Sequence, residues 1–146
     1  MTAFKEFSAR FAQSVCILTH DNLGVKRSCT ISSYSSVSTS LDADICLFSL
    51  TQNSFMAGIM RESSKIQIAL LNHHQSDVAT YYARNRFDSE RFHIDRVVTE
   101  SVGVITGLIA ESISVGGSVV YIAEIQNIEL SPLDFRPLVY RLRNYE

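Results

Sequence analysis

The chain has 146 residues, 13 Lys+Arg against 15 Asp+Glu for a formal net charge of −2, and 46% hydrophobic residues. That length suits one domain, the apolar fraction excludes wholesale disorder, and the acidic balance argues against a general nucleic-acid binder. Twenty serines and the absence of Trp are the two departures from average composition.

The opening stretch lacks the unbroken apolar core of a signal peptide, and no run approaches the ~18 apolar residues of a membrane span, so a cytoplasmic protein is expected. Phe4, Phe7 and Phe11 fall at i, i+3 and i+7, one face of a helix that should end near Ser14. Residues 15–19 read as a short apolar strand. Asp21, Asn22, Leu23 and Gly24 then supply the local hydrogen bonds and positive φ of a turn.

In residues 27–40, nine of fourteen positions are Ser or Thr, broken only by Arg, Cys, Ile, Tyr and Val, and the stretch reads as one long strand. Cys29, Ile31 and Val37 give one face some apolar character. The other face carries Thr30, Ser32, Tyr34, Ser36 and Ser38, hydroxylated throughout. Such a row can meet a polar ligand, since each hydroxyl both donates and accepts, or it can simply face solvent.

Residues 45–48 fit a buried strand. Asn53 or Ser54 can cap a helix bearing Phe55, Met56, Ile59 and Met60, and that helix start could equally seat a phosphate. Residues 66–71 suggest another buried strand, and a helix should follow from Ser76 with Val78, Tyr81 and Tyr82 on one side. The charged stretch 84–96 reads as an irregular solvated loop. Strands are expected over 104–113 and 118–130, joined at Gly116-Gly117, and a last one over 138–140. Six or seven strands with two or three helices imply an α+β fold, a single antiparallel Greek-key-like barrel decorated with helices.

Several chemistries find no support. Cys16, Cys29 and Cys46 share no metal or disulfide spacing and read as small buried hydrophobes. His73-His74 lacks a second ligand cluster and suits a surface turn; His93 has no evident partner, and no metal is expected. Neither GxSxG nor GxGxxG occurs.

The order of these motifs resembles the flavin reductase family, small FMN- or FAD-binding split barrels, over almost the whole chain. Residues 11–19 (FAQSVCILT) are similar to the family's FATGVTVVT, and residues 29–38 (CTISSYSSVS) to MTxxSFxSVS, the most specific match. Leu47-Phe48-Ser49-Leu50 followed by Asn53-Ser54-Phe55 stands where the family has an apolar strand and SST at a helix start. Asp77-Val78-Ala79 and Arg91-Phe92 match its DLA and RF, and residues 137–145 its closing PLLYxxGxY. The resemblance implies a split β-barrel, a single flavin reductase-like domain over residues 1–146, and FMN (or FAD) with NAD(P)H as co-substrate. By carry-over, Thr30, Ile31, Ser32 and Ser33 would contact the flavin, and Asn53, Ser54 and Phe55 would hold its phosphate.

The family's GDH motif stands here as Gly116-Gly117-Ser118, so Ser118 occupies the nicotinamide side without an imidazole, and no catalytic side chain is assigned. The implied activity is hydride transfer from NAD(P)H to flavin, supplying a partner monooxygenase. A flavin-binding protein without turnover (a carrier, sensor or accessory subunit) is the rival, and a split barrel binding haem through His20, His73, His74 or His93 is a third reading. The resemblance further implies a homodimer, with no nucleic-acid or membrane partner.

Overall fold

A computed structural model describes residues 2–39, 42–84 and 92–146. Seven strands form one antiparallel sheet: β2 (Cys16–Asn22), β3 (Val25–Ile31), β4 (Ser35–Thr39), β5 (Asp44–Thr51), β6 (Lys65–Leu70), β7 (Gly103–Val115) and β8 (Ser118–Leu130). Their spatial order is β3-β2-β6-β7-β8-β5-β4. The two edge strands are thus consecutive in sequence, and the sheet curls toward a barrel without a ladder closing it, which is a split barrel. A smaller sheet joins β1 (Gln13–Ser14), β9 (Val139–Arg141) and β10 (Asn144–Tyr145).

The expected turns form where φ > 0 is affordable. Leu23 and Gly24 (φ 52° and 89°) join β2 to β3, and Asp21 Oδ1 accepts the Gly24 N–H at 2.9 Å. Gly116 and Gly117 (φ 55° and 85°) join β7 to β8.

Strand β2 is buried on both faces, which explains its unbroken apolar run. Cys16 and Leu18 enter the barrel core with Ile31, Phe48, Ile68 and Tyr121. Ile17 faces a second core with Leu71, Val78, Tyr82, Ile94, Val97 and Leu138, built under α3 (Ser76–Ala83) and α4 (Ile94–Thr99).

Four expectations need correction. The first helix, α1 (Ala3–Ala9), stops well short of Ser14 because residues 13–14 are drawn into the small sheet, Gln13 opposite Tyr140. The ring stripe stays mostly outward: Phe4, Phe7 and Phe11 are 77%, 59% and 56% exposed. The stretch 84–96 runs at its end into a helix, α4, which begins at Ile94 and is held by Ile94 and Val97 beneath it; with α2 (Phe55–Ile59) this makes four helices among the described residues rather than two or three. Of the expected Arg91-Phe92 motif, Arg91 lies outside the described residues with the rest of 85–91, whereas Phe92 is described and packs against the second core. Finally, residues 27–40 are two strands rather than one, and Ser40 lies outside the described residues.

Candidate functional site

The break in the serine-rich segment makes the site. β3 pairs with β2 and ends with Ile31 opposite Cys16, whereas β4 pairs with β5 and begins with Ser35 opposite Leu47. Continuing that register outward would set Ser33 opposite Ser49, but the backbone has already turned away toward β3. The Ser33 side chain replaces it: Oγ donates to the Ser49 carbonyl (3.0 Å) and accepts the Ser49 N–H (2.9 Å). One hydroxyl thereby extends the ladder where the main chain cannot. Residues 32–34 carry no backbone–backbone hydrogen bond among the described residues, so their peptide groups remain available to a ligand.

Beside this seam lies a cleft of about 360 Å³. One set of lining residues is apolar: Cys29, Ile31, Leu50, Met56, Tyr82 and Ala83. The other is hydroxylated: Thr30, Ser32, Ser33, Ser49, Thr51 and Ser54. Three stretches distant in sequence meet here, namely the end of β3, the end of β5 running into the start of α2, and the end of α3.

The hydroxyls divide by task. Thr30 Oγ1 donates to the Ala79 carbonyl at 2.6 Å and fastens β3 to α3. Ser33 is committed to the seam. Ser54 is the N-cap of α2, its Oγ accepting the Ala57 N–H at 3.2 Å. Ser32, Ser49 and Thr51 have no side-chain hydrogen bond among the described residues, and are the three free to serve a ligand. Tyr82 also lines the cleft, its hydroxyl donating to the Phe92 carbonyl at 3.0 Å.

Of the residues expected at the site, Thr30, Ile31, Ser32, Ser33 and Ser54 converge on this cleft; Asn53 and Phe55 do not line it. Phe55 is 44% exposed, because Met56 and Met60 take the inward face of α2. Ser118 begins β8 opposite Thr51, and the Gly117 carbonyl accepts the Gln52 N–H at 2.9 Å, so the Gly116-Gly117-Ser118 turn borders the cleft beside Thr51. Sequence reasoning missed Ser49 and Thr51. Their signal was the alternation that ends β5, with Phe48 and Leu50 on one face and Ser49 and Thr51 on the other.

No charged side chain lines the cleft among the described residues. Burial pushes the Cys29 thiol up to about 12, so it is a neutral wall atom and neither a nucleophile nor a base at physiological pH. Cys16 and Cys46, in the barrel core, are likewise raised to about 12 and about 11 by burial. His73 and His74 form the expected turn, the His73 ring against the Arg136 carbonyl (3.1 Å), and no metal-holding cluster occurs among the described residues.

A family model described as "Flavin reductase like domain" matches residues 8–146. No curated protein matches the sequence. Among solved structures, the styrene monooxygenase flavin reductase of Pseudomonas putida is similar at TM-score 0.86 and 18% identity, over 99% of this chain and 96% of that one. An NADH:FAD oxidoreductase of Streptomyces globisporus, in complex with NAD and FAD fragments, gives TM-score 0.84 at 14% identity, over 98% and 89%. The flavin reductase component of a bacterial two-component tryptophan halogenase gives 0.83 at 19% identity, over 99% and 95%. At these identities the structural likeness speaks for the fold.

Proposed function

The chain belongs to the flavin reductase like family and is an oxidoreductase of that family, and from that premise we propose that it passes hydride from NAD(P)H to FMN or FAD seated in the cleft between β3, β5, α2 and α3. The observation that carries this reading is the cleft's mixed lining, six apolar residues and six bearing aliphatic hydroxyls. A flavin is mixed in the same way, a flat ring system joined to a polyhydroxyl chain and phosphate. The volume also falls in the range of small-ligand sites, roughly 300–1,000 Å³.

Ile31, Leu50, Met56 and Tyr82 would pack the ring and keep water from it. Ser32, with the peptide groups of residues 32–34, would bond its polar edge and chain. Ser49 and Thr51 would take the remaining hydroxyls, and Ser54 with the first turn of α2 would meet the phosphate. Thr30 and Ser33 serve this site by fixing its walls, since their hydroxyls are already spoken for. The flavin, when bound, supplies the two-electron chemistry. The chain then needs only to orient two planar rings and exclude solvent, which is compatible with a cleft lacking a charged acid or base among the described residues.

We place the whole of residues 1–146 in one such domain, acting in the cytoplasm as a homodimer and supplying reduced flavin to a partner oxygenase. The outward Phe4, Phe7 and Phe11 rings support association, and two of the similar structures are reductase components of a monooxygenase and a halogenase system. A second reading, flavin binding without turnover, is favoured by the Gly116-Gly117-Ser118 turn, which brings no imidazole to the cleft.

The test is a spectral titration of the purified protein with FMN and FAD, followed by NADH and NADPH oxidation with the bound flavin. Binding with turnover supports the reductase; binding without turnover selects the second reading. No flavin binding at micromolar concentration overturns both.

A further inference from the structure

A second cavity, of about 460 Å³, opens where the β2–β3 hairpin meets the α2–β6 connection. Its residues share none with the flavin cleft. His20, the last inward residue of β2, lies on its wall and is only 8% exposed. One ring nitrogen is engaged, with Nε2 3.3 Å from Ser64 Oγ, which also accepts the Arg61 N–H at 2.9 Å. Nδ1 has no partner. Every fully buried side-chain nitrogen or oxygen among the described residues does have one, so Nδ1 reaches open space, and the space that the ring lines is this cavity.

Two cations join it. Arg61 Nη1 donates to the Gly58 and Met60 carbonyls (3.0 and 2.8 Å), which fastens the guanidinium to the end of α2 and leaves its other donors outward. Lys65 opens β6. Neither has a carboxylate within ion-pair distance among the described residues. The one carboxylate on the wall, Asp21, turns Oδ1 to the Gly24 N–H and stands in register with Lys65. Two cations against one carboxylate, with an outward guanidinium, a free imidazole nitrogen and the Ser63 hydroxyl, form a concave set of donors.

We propose that this cavity binds a phosphate group, held by Arg61, Lys65 and His20, either as the free ion or as part of a nucleotide. A tetrahedral dianion has enough acceptor oxygens to use a guanidinium, an ammonium and an imidazole together, as one planar carboxylate does less well. Because the site shares no residue with the cleft, it stands or falls independently of the flavin reading.

The test titrates the full chain with inorganic phosphate at constant ionic strength, reading binding by calorimetry and the His20 imidazole by NMR. Saturable binding that shifts the His20 resonance is expected. Arg61→Gln should weaken it about tenfold or more, the loss of a charge-assisted pair. Lys65→Gln, on an exposed side chain that folding does not need, should also weaken it, while the change in the flavin ring's absorbance on FMN titration, which reports the cleft alone, stays unchanged in both variants. A nucleoside monophosphate that binds more tightly than phosphate identifies a nucleotide as the source; equal affinity identifies the free ion. No saturable response in the unmodified protein, or one that both substitutions leave intact, overturns the proposal.

Discussion

Ser33→Ala isolates the hydroxyl that carries the β4–β5 ladder past its last backbone pair. It removes two hydrogen bonds at once and leaves the Ser49 N–H and carbonyl without their partner. Each such bond contributes about 0.5–1.5 kcal/mol net, so full burial would make the loss about 1–3 kcal/mol. Ser33 and Ser49 are only half-buried, and water can reach the freed groups, which places the expected loss at about 1–2 kcal/mol. For a chain of this size that lowers the unfolding midpoint by about 3–8 °C. Calorimetry or urea unfolding reads it, with Ser33→Thr as the control that keeps the hydroxyl. The same logic predicts that Ser33→Ala weakens flavin binding less than Ser32→Ala does, since the Ser33 hydroxyl is turned to Ser49 and that of Ser32 is free. A midpoint within 1 °C of the parent, or a flavin affinity hit harder by Ser33→Ala than by Ser32→Ala, would refute the reasoning.

Gly107 sits at a register shift between β7 and β8, where an added Cβ would collide with the backbone carbonyl of Glu124. Gly107→Ala should therefore cost about 2 kcal/mol or more, seen as a lowered urea midpoint, while Gly58→Ala, facing open space, should not destabilise. His20 has its pKa lowered in the fold, chiefly by burial and further by Arg61, against the opposing pull of Asp21. Above about pH 6.5 the imidazole is neutral folded or unfolded. Below it the unfolded chain protonates first, so stability falls with pH until the folded pKa is passed. His20→Asn should flatten that part of the pH–stability curve. The three thiols, all raised by burial, should resist a disulfide reagent at pH near 8 in the native protein and react together once guanidinium unfolds it.

Much of the barrel was legible because short-range chemistry announced it. Asn22-Leu23-Gly24 and Gly116-Gly117 marked their turns, and the run 15–19 marked a strand covered on both faces. The serine-rich segment was legible as composition and misleading as geometry. Nothing in its alternation says where it leaves β2's neighbourhood and joins β5, because that switch depends on the sheet's curvature bringing Ser49 within reach of Ser33. Helix α4 was hidden for a similar reason. Its apolar residues are few, Ile94 and Val97, and only the surface presented by β2 and α3 makes them sufficient. The Phe stripe shows the converse, a periodic apolar face that stays more than half exposed among the described residues. At the cleft, Ser32 and Ser54 stood out within motifs, whereas Ser49 and Thr51 matter only because β5 ends beside the seam.

The small sheet has a consequence for how the chain is made. β1 pairs with β9, Leu138 fills the core beneath Val15 and Leu71, and the Leu142 N–H reaches the Ala9 carbonyl at 2.7 Å. A strand at residues 13–14 therefore waits for one at residues 139–140 before its ladder can form. During synthesis the second core stays open along one side while the barrel ahead of it can already close. Contacts between residues so far apart are among the slowest to establish. Until residues 138–140 are in place, Val15, Ile17 and Leu71 lack one of the apolar partners that cover them in the fold, and a chaperone that engages a chain not yet containing residues 138–140 would meet that flank.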